Sequence, residues 1–287
     1  MAPPSALRTA ALTCMALVAF AANSVLCRLA LGEGQIDAAG FTTVRLLAGA
    51  LALALIVAAR RGGSAQTPHR ADWPAAAMLF LYAAPFSFAY RTLGAGMGAL
   101  ILFGAVQTTM ILVGVLRGER PGRAELLGLA VALGGLIYLV APGLTAPPLL
   151  GAGLMAVAGA AWGFYSLRGA GAGDPLVRTR NNFLRAVPFT LGLSLVLLGE
   201  LEMSWQGVLW ATISGALTSA VGYAIWYAAL RGLTATRAAI VQLTVPVLAA
   251  GAGVLMLGEA LSWRLTVAAL LILGGVGLAL GGRRVEP

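Results

Sequence analysis

Residues 116–120 read LRGER, and 140 positions further on residues 256–260 read MLGEA. Each stretch closes a long apolar run, and the pairs Gly118-Glu119 and Gly258-Glu259 fall in register. Sliding the sequence against itself by the same 140 residues, without a gap, superposes Arg28 on Arg168, Arg45 on Arg185 and Arg91 on Arg231, and Gly134-Gly135 on Gly274-Gly275. Matches of Ala or Leu mean little in so apolar a chain. At this frequency of Arg, however, fewer than about one coincidental pair is expected over the overlap. The three pairs in one register read as an internal duplication, residues 1–147 and 148–287, with the Pro-rich APGLTAPP (141–148) as its junction.

The runs that these pairs punctuate decide the fold class. The chain has 287 residues, 60% hydrophobic and 10% charged, against roughly 25% charged in soluble domains. Apolar runs of about 20 residues, each able to cross a hydrocarbon layer of about 30 Å as a helix, recur along the whole length. They predict ten spans, at 9–31, 38–59, 72–91, 94–116, 124–141, 149–168, 181–200, 206–230, 234–257 and 264–282. The first is too long for the apolar region of a secretory signal and no clear A-x-A cleavage site precedes a soluble domain, so it is expected to stay attached. The expected fold is an all-α polytopic membrane protein. An odd number of spans per repeat makes the second half enter the membrane from the opposite side. Inverted repeats of this kind are common among secondary transporters, which rock one set of helices against another around a site near the midplane.

The net charge of +9 invites a nucleic-acid reading, because basic patches neutralise phosphates. The distribution argues against it. All nineteen basic residues are Arg, and they sit mainly at span ends. With the N-terminus in the cytoplasm, fifteen of them lie on the cytoplasmic side and only Arg28, Arg45, Arg91 and Arg264 face out. That positive-inside bias orients the chain with both termini cytoplasmic. Cys14 and Cys27 are about 20 Å apart along one helix at 1.5 Å per residue, too far to pair. The single His69 has no companion for a metal site. Neither metal nor cofactor is expected.

With its five-plus-five layout, an Arg near the start of spans 2 and 7, and Gly-Glu ending spans 4 and 9 before a Gly-Gly-bearing span, the chain resembles the drug/metabolite transporter superfamily in its ten-helix, EamA-type form. Within it the chain looks most like the YddG-type amino-acid exporters. That resemblance implies export of aromatic and other amino acids through the bacterial inner membrane. The small multidrug-resistance relatives carry a Glu in their first helix; span 1 here has none.

The candidate site follows from where polar and aromatic residues gather. Spans 5 and 10 hold no Ser, Thr, Asn or Gln between Leu126 and Leu139 or between Val267 and Leu280. With their glycines they read as close-packing elements, either within the chain or against a second copy in a homodimer. Span 3 puts Tyr82, Phe86 and Tyr90 on one helical face, span 6 offers Trp162 and Tyr165, and span 8 offers Tyr223, Trp226 and Tyr227. Helix packing is as ordinary a use for such a stripe as a binding surface. Tyr82 near mid-span, with a hydroxyl needing a partner, points to the cavity. Mid-span amides are costly in lipid and face the bundle interior or a wet cavity, so Asn23, Gln107 and Gln242 rank above Ser24, Thr108 and Thr244, which can bond their own helix backbone. The expected substrate-binding set is Tyr82, Asn23, Gln107, Gln242, Trp162, Trp226, Tyr223 and Phe86. Pro85, Pro188 and Pro246 have no counterpart in the other repeat and are candidate bend points. Pro246 also frees the carbonyl of Gln242.

No Asp or Glu lies in the middle third of any predicted span. Proton-driven pumps use such a carboxylate as a relay, so its absence favours a neutral or zwitterionic substrate moving down its own gradient. Export of other metabolites or drugs with proton coupling is the alternative. An intramembrane enzyme lacks its constellation here, with no H-E-x-x-H, no G-x-S-x-G and no paired intramembrane acids. A channel would favour rings of like residues. Phosphate-ester transport would want a cationic midplane, which the end placement of Arg28, Arg45 and Arg91 does not offer. Glu119 and Glu259 are expected to cap helix ends or to pair with Arg120, Arg123 or Arg264.

Overall fold

The computed structural model describes residues 5–61, 72–140, 147–169, 174–258, 260 and 262–281. His69, Glu259 and most of the Pro-rich junction lie outside them. The helices are α1 Ala6–Gly32, α2 Ala38–Arg61, α3 Trp73–Ala89, α4 Ala95–Leu116, α5 Arg123–Val140, α6 Leu149–Gly169, α7 Pro175–Val196, α8 Trp205–Ile213, α9 Gly222–Ala229, α10 Ala235–Gln242, α11 Thr244–Leu257 and α12 Trp263–Gly281. A π-helical segment, Ser214–Val221, joins α8 to α9, and a 3-10 turn follows, so that Trp205–Gly232 is one helical run of 28 residues. Among the described residues no strand forms beyond an isolated bridge between Ile36 and Met203.

Side chains at the helix ends explain the boundaries. Ser5, Asp72, Asp174, Ser204 and Thr234 each accept a backbone N–H of the first turn that follows, and Asp37 accepts that of Gly40 at 2.7 Å. These caps satisfy donors that the helix itself cannot. At the other end Gly118 and Gly258 take φ of 91° and 64°, the left-handed conformation that stops a helix and that Gly adopts without a Cβ penalty. The two Gly-Glu pairs therefore begin with the same backbone device.

Among the described residues six helical runs are long and apolar enough to cross a membrane: Ala6–Gly32, Ala38–Arg60, Ala95–Leu116, Leu149–Gly169, Trp205–Gly232 and Arg237–Leu257. The helix α3, with 17 residues, is shorter. The first two turns of α7 carry Arg178 and Arg180, and the predicted span 181–200 starts six residues late because those arginines hide its beginning. The predicted span 234–257 forms one helical run that tightens at a single residue, Leu243, between α10 and α11, where its N–H bonds the Ile240 carbonyl.

The packing reverses the polarity of a soluble protein. Leu51, Leu55, Leu116, Leu195, Val196 and Leu255 are exposed on the outside, whereas Asn23, Arg45, Gln107, Asn182 and Gln242 are buried inside. Such a surface is stable only against hydrocarbon, where polar groups turn inward to find partners. Neighbouring helices follow a pattern. The helix α5 packs on α12, α2 on α7, and α4 on α10 and α11. The helix α6 packs on α3 and α4 much as α1 packs on the Trp205–Gly232 run and α11.

Glycines set how close these pairs come. A Cβ on Gly275 would lie 2.4 Å from the Gly128 carbonyl oxygen, and one on Gly159 would lie 2.3 Å from that of Leu102. A Cβ on Gly192 would meet nothing within 4 Å. Gly159→Ala is therefore expected to destabilise the protein by about 1–3 kcal/mol through overpacking, while Gly192→Ala gains up to about 1 kcal/mol of helix propensity. Unfolding titrations of the two variants in mixed micelles measure the difference.

Candidate functional site

Midway along Trp205–Gly232 the helix widens into the π segment. In that winding Ser214, Thr218 and Ser219 fall on one side, and all three hydroxyls reach the Oδ1 of Asn23 on α1, at 2.7, 3.1 and 3.4 Å. Gly215 lets the segment lie directly on α2, since a Cβ there would be 2.0 Å from the Arg45 carbonyl oxygen. The approach also brings Ser219 to the Arg45 side chain, whose Nε donates to its hydroxyl at 2.9 Å. Single-turn π segments recur at functional sites because they re-aim side chains in this way.

Arg45 corrects the reading of the sequence. It was expected near the outer end of its span, yet its relative exposure is 0%. Its Nη2 donates to the hydroxyls of Tyr82 at 3.1 Å and Tyr223 at 2.6 Å, which bond each other at 3.1 Å. The guanidinium carbon lies 5.3 Å from the centre of the Tyr82 ring and 5.1 Å from that of Phe86. Its Nη1 is buried without a hydrogen-bond partner. Among the described residues the ion pairs are Arg168 with Asp72 and Arg237 with Glu125, and none includes Arg45. Desolvation of a charged group costs several kcal/mol. Two cation–π contacts of about 2 kcal/mol each and bonds to neutral hydroxyls offset only part of it. A positive charge without a carboxylate thus sits in the core.

Beside it is a small cavity lined by Phe20, Asn23 and Ser24 of α1, Tyr82 and Phe86 of α3, Leu102 and Phe103 of α4, Trp162 of α6 and Tyr223 of α9. At about 10 Å³ it has room for roughly one water. Its walls are closed by contact. The Trp162 and Tyr223 rings are 4.6 Å apart, Tyr82 and Trp162 5.0 Å, and Phe20 and Trp162 5.3 Å. The Trp162 Nε1 donates to Gln242 Oε1 at 2.8 Å, which ties α6 to α10.

Of the eight expected binding residues, Asn23, Tyr82, Phe86, Trp162 and Tyr223 meet at this cavity. Gln242 stands behind it as the partner of Trp162. Trp226 packs on Phe20 and donates its indole N–H to Ser166 at 3.2 Å. Gln107 lies elsewhere: its amide nitrogen donates to the carbonyl of Ala239 on α10, and its Oε1 is buried without a partner. The structure adds Arg45, Ser219, Phe20, Leu102 and Phe103. Arg45 was findable, since it lies seven residues inside the predicted span 38–59, about 10 Å deep at 1.5 Å per residue. The apolar additions carry no such signal. Pro85 and Pro188 lie inside continuous helices α3 and α7, whereas Pro246 lies in the first turn of α11, just after the tightened turn at Leu243.

The opening pair acquires a role here. The Glu119 carboxylate accepts the backbone N–H of Ala235, the first residue of α10, at 2.9 Å. It caps a helix of the other half of the chain. A second, open groove of about 410 Å³ has Arg8, Arg60 and Arg231 among its lining residues and none of the expected binding residues.

Asn23→Ala takes the shared acceptor from Ser214, Thr218 and Ser219 and is expected to cost about 1–3 kcal/mol of stability, read as a lower melting temperature of the purified protein.

Known proteins place this architecture. A family model described as the EamA-like transporter family matches residues 149–281. An uncharacterized protein of Pseudomonas aeruginosa is 54% identical over 276 residues, covering 96% of each chain. A solved crystal structure of another protein has a TM-score of 0.75 at 18% identity, covering 94% of this chain and 98% of that one, and so shares its fold. Residues 149–281 thus match an EamA-like transporter domain, in a chain whose long apolar helices are those of a multi-pass membrane protein.

Proposed function

We propose that the protein exports amino acids, aromatic and other neutral or zwitterionic ones, across a bacterial inner membrane by alternating access, down the substrate's own gradient. The observation that carries this reading is the narrow cavity whose walls come from both halves of the chain: α1, α3 and α4 on one side, α6 and α9 on the other. Parting the two sets of walls opens it. At about 10 Å³, far below the roughly 300–1,000 Å³ of sites that seat drug-sized ligands, it must open to admit a substrate. Aromatic faces and an amide suit a side chain and a polar head group, and none of the cavity's lining residues is an acid that could relay protons.

In the same proposal the chain spans the membrane ten times, as two inverted five-span repeats, with both termini cytoplasmic. Cross-contacts between loops support the sidedness. Arg168 meets Asp72 at 2.6 Å, Glu119 meets Ala235, and residues 35–37 bond residues 202–204. Each contact joins loops that the ten-span count puts on one face. The exchange of helix neighbours under the 140-residue shift supports the duplication, and the pairing of α5 with α12 within one chain supports a monomer as the transporting unit.

Purified protein in liposomes tests the proposal with radiolabelled phenylalanine and leucine, against sugars, nucleosides and cationic dyes, with no pH gradient imposed. Saturable uptake of the amino acids, stimulated by the same substrate on the opposite side, is expected. Uptake confined to the other classes would sink the substrate reading, and complete dependence on a proton gradient would sink the facilitative one.

Pro85 and Pro246 are the proposed bend points, Pro246 because it follows the tightened turn at Leu243 that separates α10 from α11. Pro85→Ala and Pro246→Ala are expected to lower the transport rate by about tenfold while the melting temperature stays within a few degrees. Unchanged rates in stable protein would remove the bend points from the mechanism.

A further inference from the structure

The guanidinium of Arg45 is one side chain away from the cavity. Its Nη2 is held by the hydroxyls of Tyr82 and Tyr223, and its face lies against the rings of Tyr82 and Phe86. All three of those residues line the cavity. A guanidinium carries five N–H donors and no acceptor. Here Nε is used by Ser219 and Nη2 by the tyrosines, while Nη1 is fully buried and unpartnered. No ion pair among the described residues neutralises it. The Asn23 Oδ1 already accepts from three hydroxyls, one of them that of Ser219, which also receives the Arg45 Nε–H. No lining residue of the cavity carries a negative charge that could hold an ammonium group.

From this asymmetry we infer that Arg45 is the anchor for the carboxylate of the transported molecule, with the hydroxyls of Tyr82 and Tyr223 holding its place until substrate arrives, and that the amino group is dispensable. The inference rests on the transport proposal above and widens it from amino acids to organic acids that carry an apolar or aromatic body. A carboxylate entering the cavity meets a cation that has already been stripped of water. It takes over bonds that neutral hydroxyls make less strongly, because a charge-assisted bond is about twice as strong as a neutral one. The movement of Tyr82 and Tyr223 that releases Nη2 also parts Tyr82 from Trp162 and Tyr223 from Trp162, the ring contacts that close the walls. Binding of the acid and opening of the cavity are then one event.

Three probes sharing one ring separate the possibilities: phenylalanine, 3-phenylpropionate and 2-phenylethylamine. Their binding to the purified wild-type protein is read from quenching of tryptophan fluorescence, with empty micelles subtracted, because Trp162 lines the cavity. Phenylalanine and 3-phenylpropionate are expected to bind with Kd values within about tenfold of each other, and the amine at least about tenfold more weakly. Arg45→Gln is expected to weaken both acids by about tenfold or more and to leave the amine unchanged, with Arg45→Lys between the two. An amine bound as tightly as the acids, no binding of either acid, or a folded Arg45→Gln protein that binds the acids normally would overturn the inference. The wild-type comparison needs no variant to fold. If 3-phenylpropionate binds and phenylalanine neither binds nor is taken up, the anchor stands and the amino-acid reading falls; if leucine and phenylalanine are taken up but the amine binds like the acids, the reverse holds.

Discussion

A cation without a counter-ion, sunk into the centre of a bundle, constrains everything around it. The Arg45 guanidinium can be buried only because neutral groups converge on it: Ser219 from the π segment, the Tyr82 hydroxyl from α3, the Tyr223 hydroxyl from α9 and the rings of Tyr82 and Phe86. Three elements, α3, the π segment and α9, are thereby fixed relative to α2. Loss of any one contact leaves a charge in low dielectric, where an unmet donor costs most. The arrangement is accordingly both the centre of the fold and the most responsive point in it.

Glycine and the π winding make that convergence geometrically available. A straight α-helix over residues 205–232 would keep Ser214 and Thr218 on one face but turn Ser219 away from them by its 3.6-residue period. The wider winding gathers them on Asn23, and Gly215 removes the side chain that would hold the segment away from α2. Packing elsewhere follows the same principle, with Gly159 against α4 and Gly275 against α5. Between helices in hydrocarbon, close approach of backbones replaces the hydrophobic driving force available in water. The small residues are where those contacts are made.

The proposed transport function requires an inside that can change partners at low cost, and the interior here has groups suited to such exchange. Tyrosine hydroxyls, an indole N–H and amides hold the cavity shut through single hydrogen bonds such as that of Trp162 to Gln242. Each such bond contributes about 1 kcal/mol net. A substrate that supplies equivalent or stronger partners can replace them one for one. Rigid capping at the periphery, by Asp37, Asp72, Asp174 and Glu119, keeps the helices intact while the interior rearranges.

Much of this could be read in the sequence, and the limit has a physical cause. Apolar run length determined the helices, because a segment in hydrocarbon must satisfy its own backbone, and helix boundaries moved mainly where arginines hid the start of α7. The Gly-Glu pairs disclosed the 140-residue register, and periodicity put Tyr82 and Phe86 on one face, where they remain together. Five of the eight expected binding residues meet at one cavity for that reason. Periodicity, however, gives the face of a helix and not the helix that it faces. Gln107 and Asn23 look alike as mid-span amides; only tertiary packing sends one to a carbonyl on α10 and the other to the cavity. Arg45 shows the same limit most clearly. Sequence determined its depth, about 10 Å into a span, but whether an arginine there reaches outward along the helix to the membrane surface or stays within the core depends on what waits for it. The tyrosine hydroxyls and the π-wound serine that receive it come from α3 and from the far half of the chain.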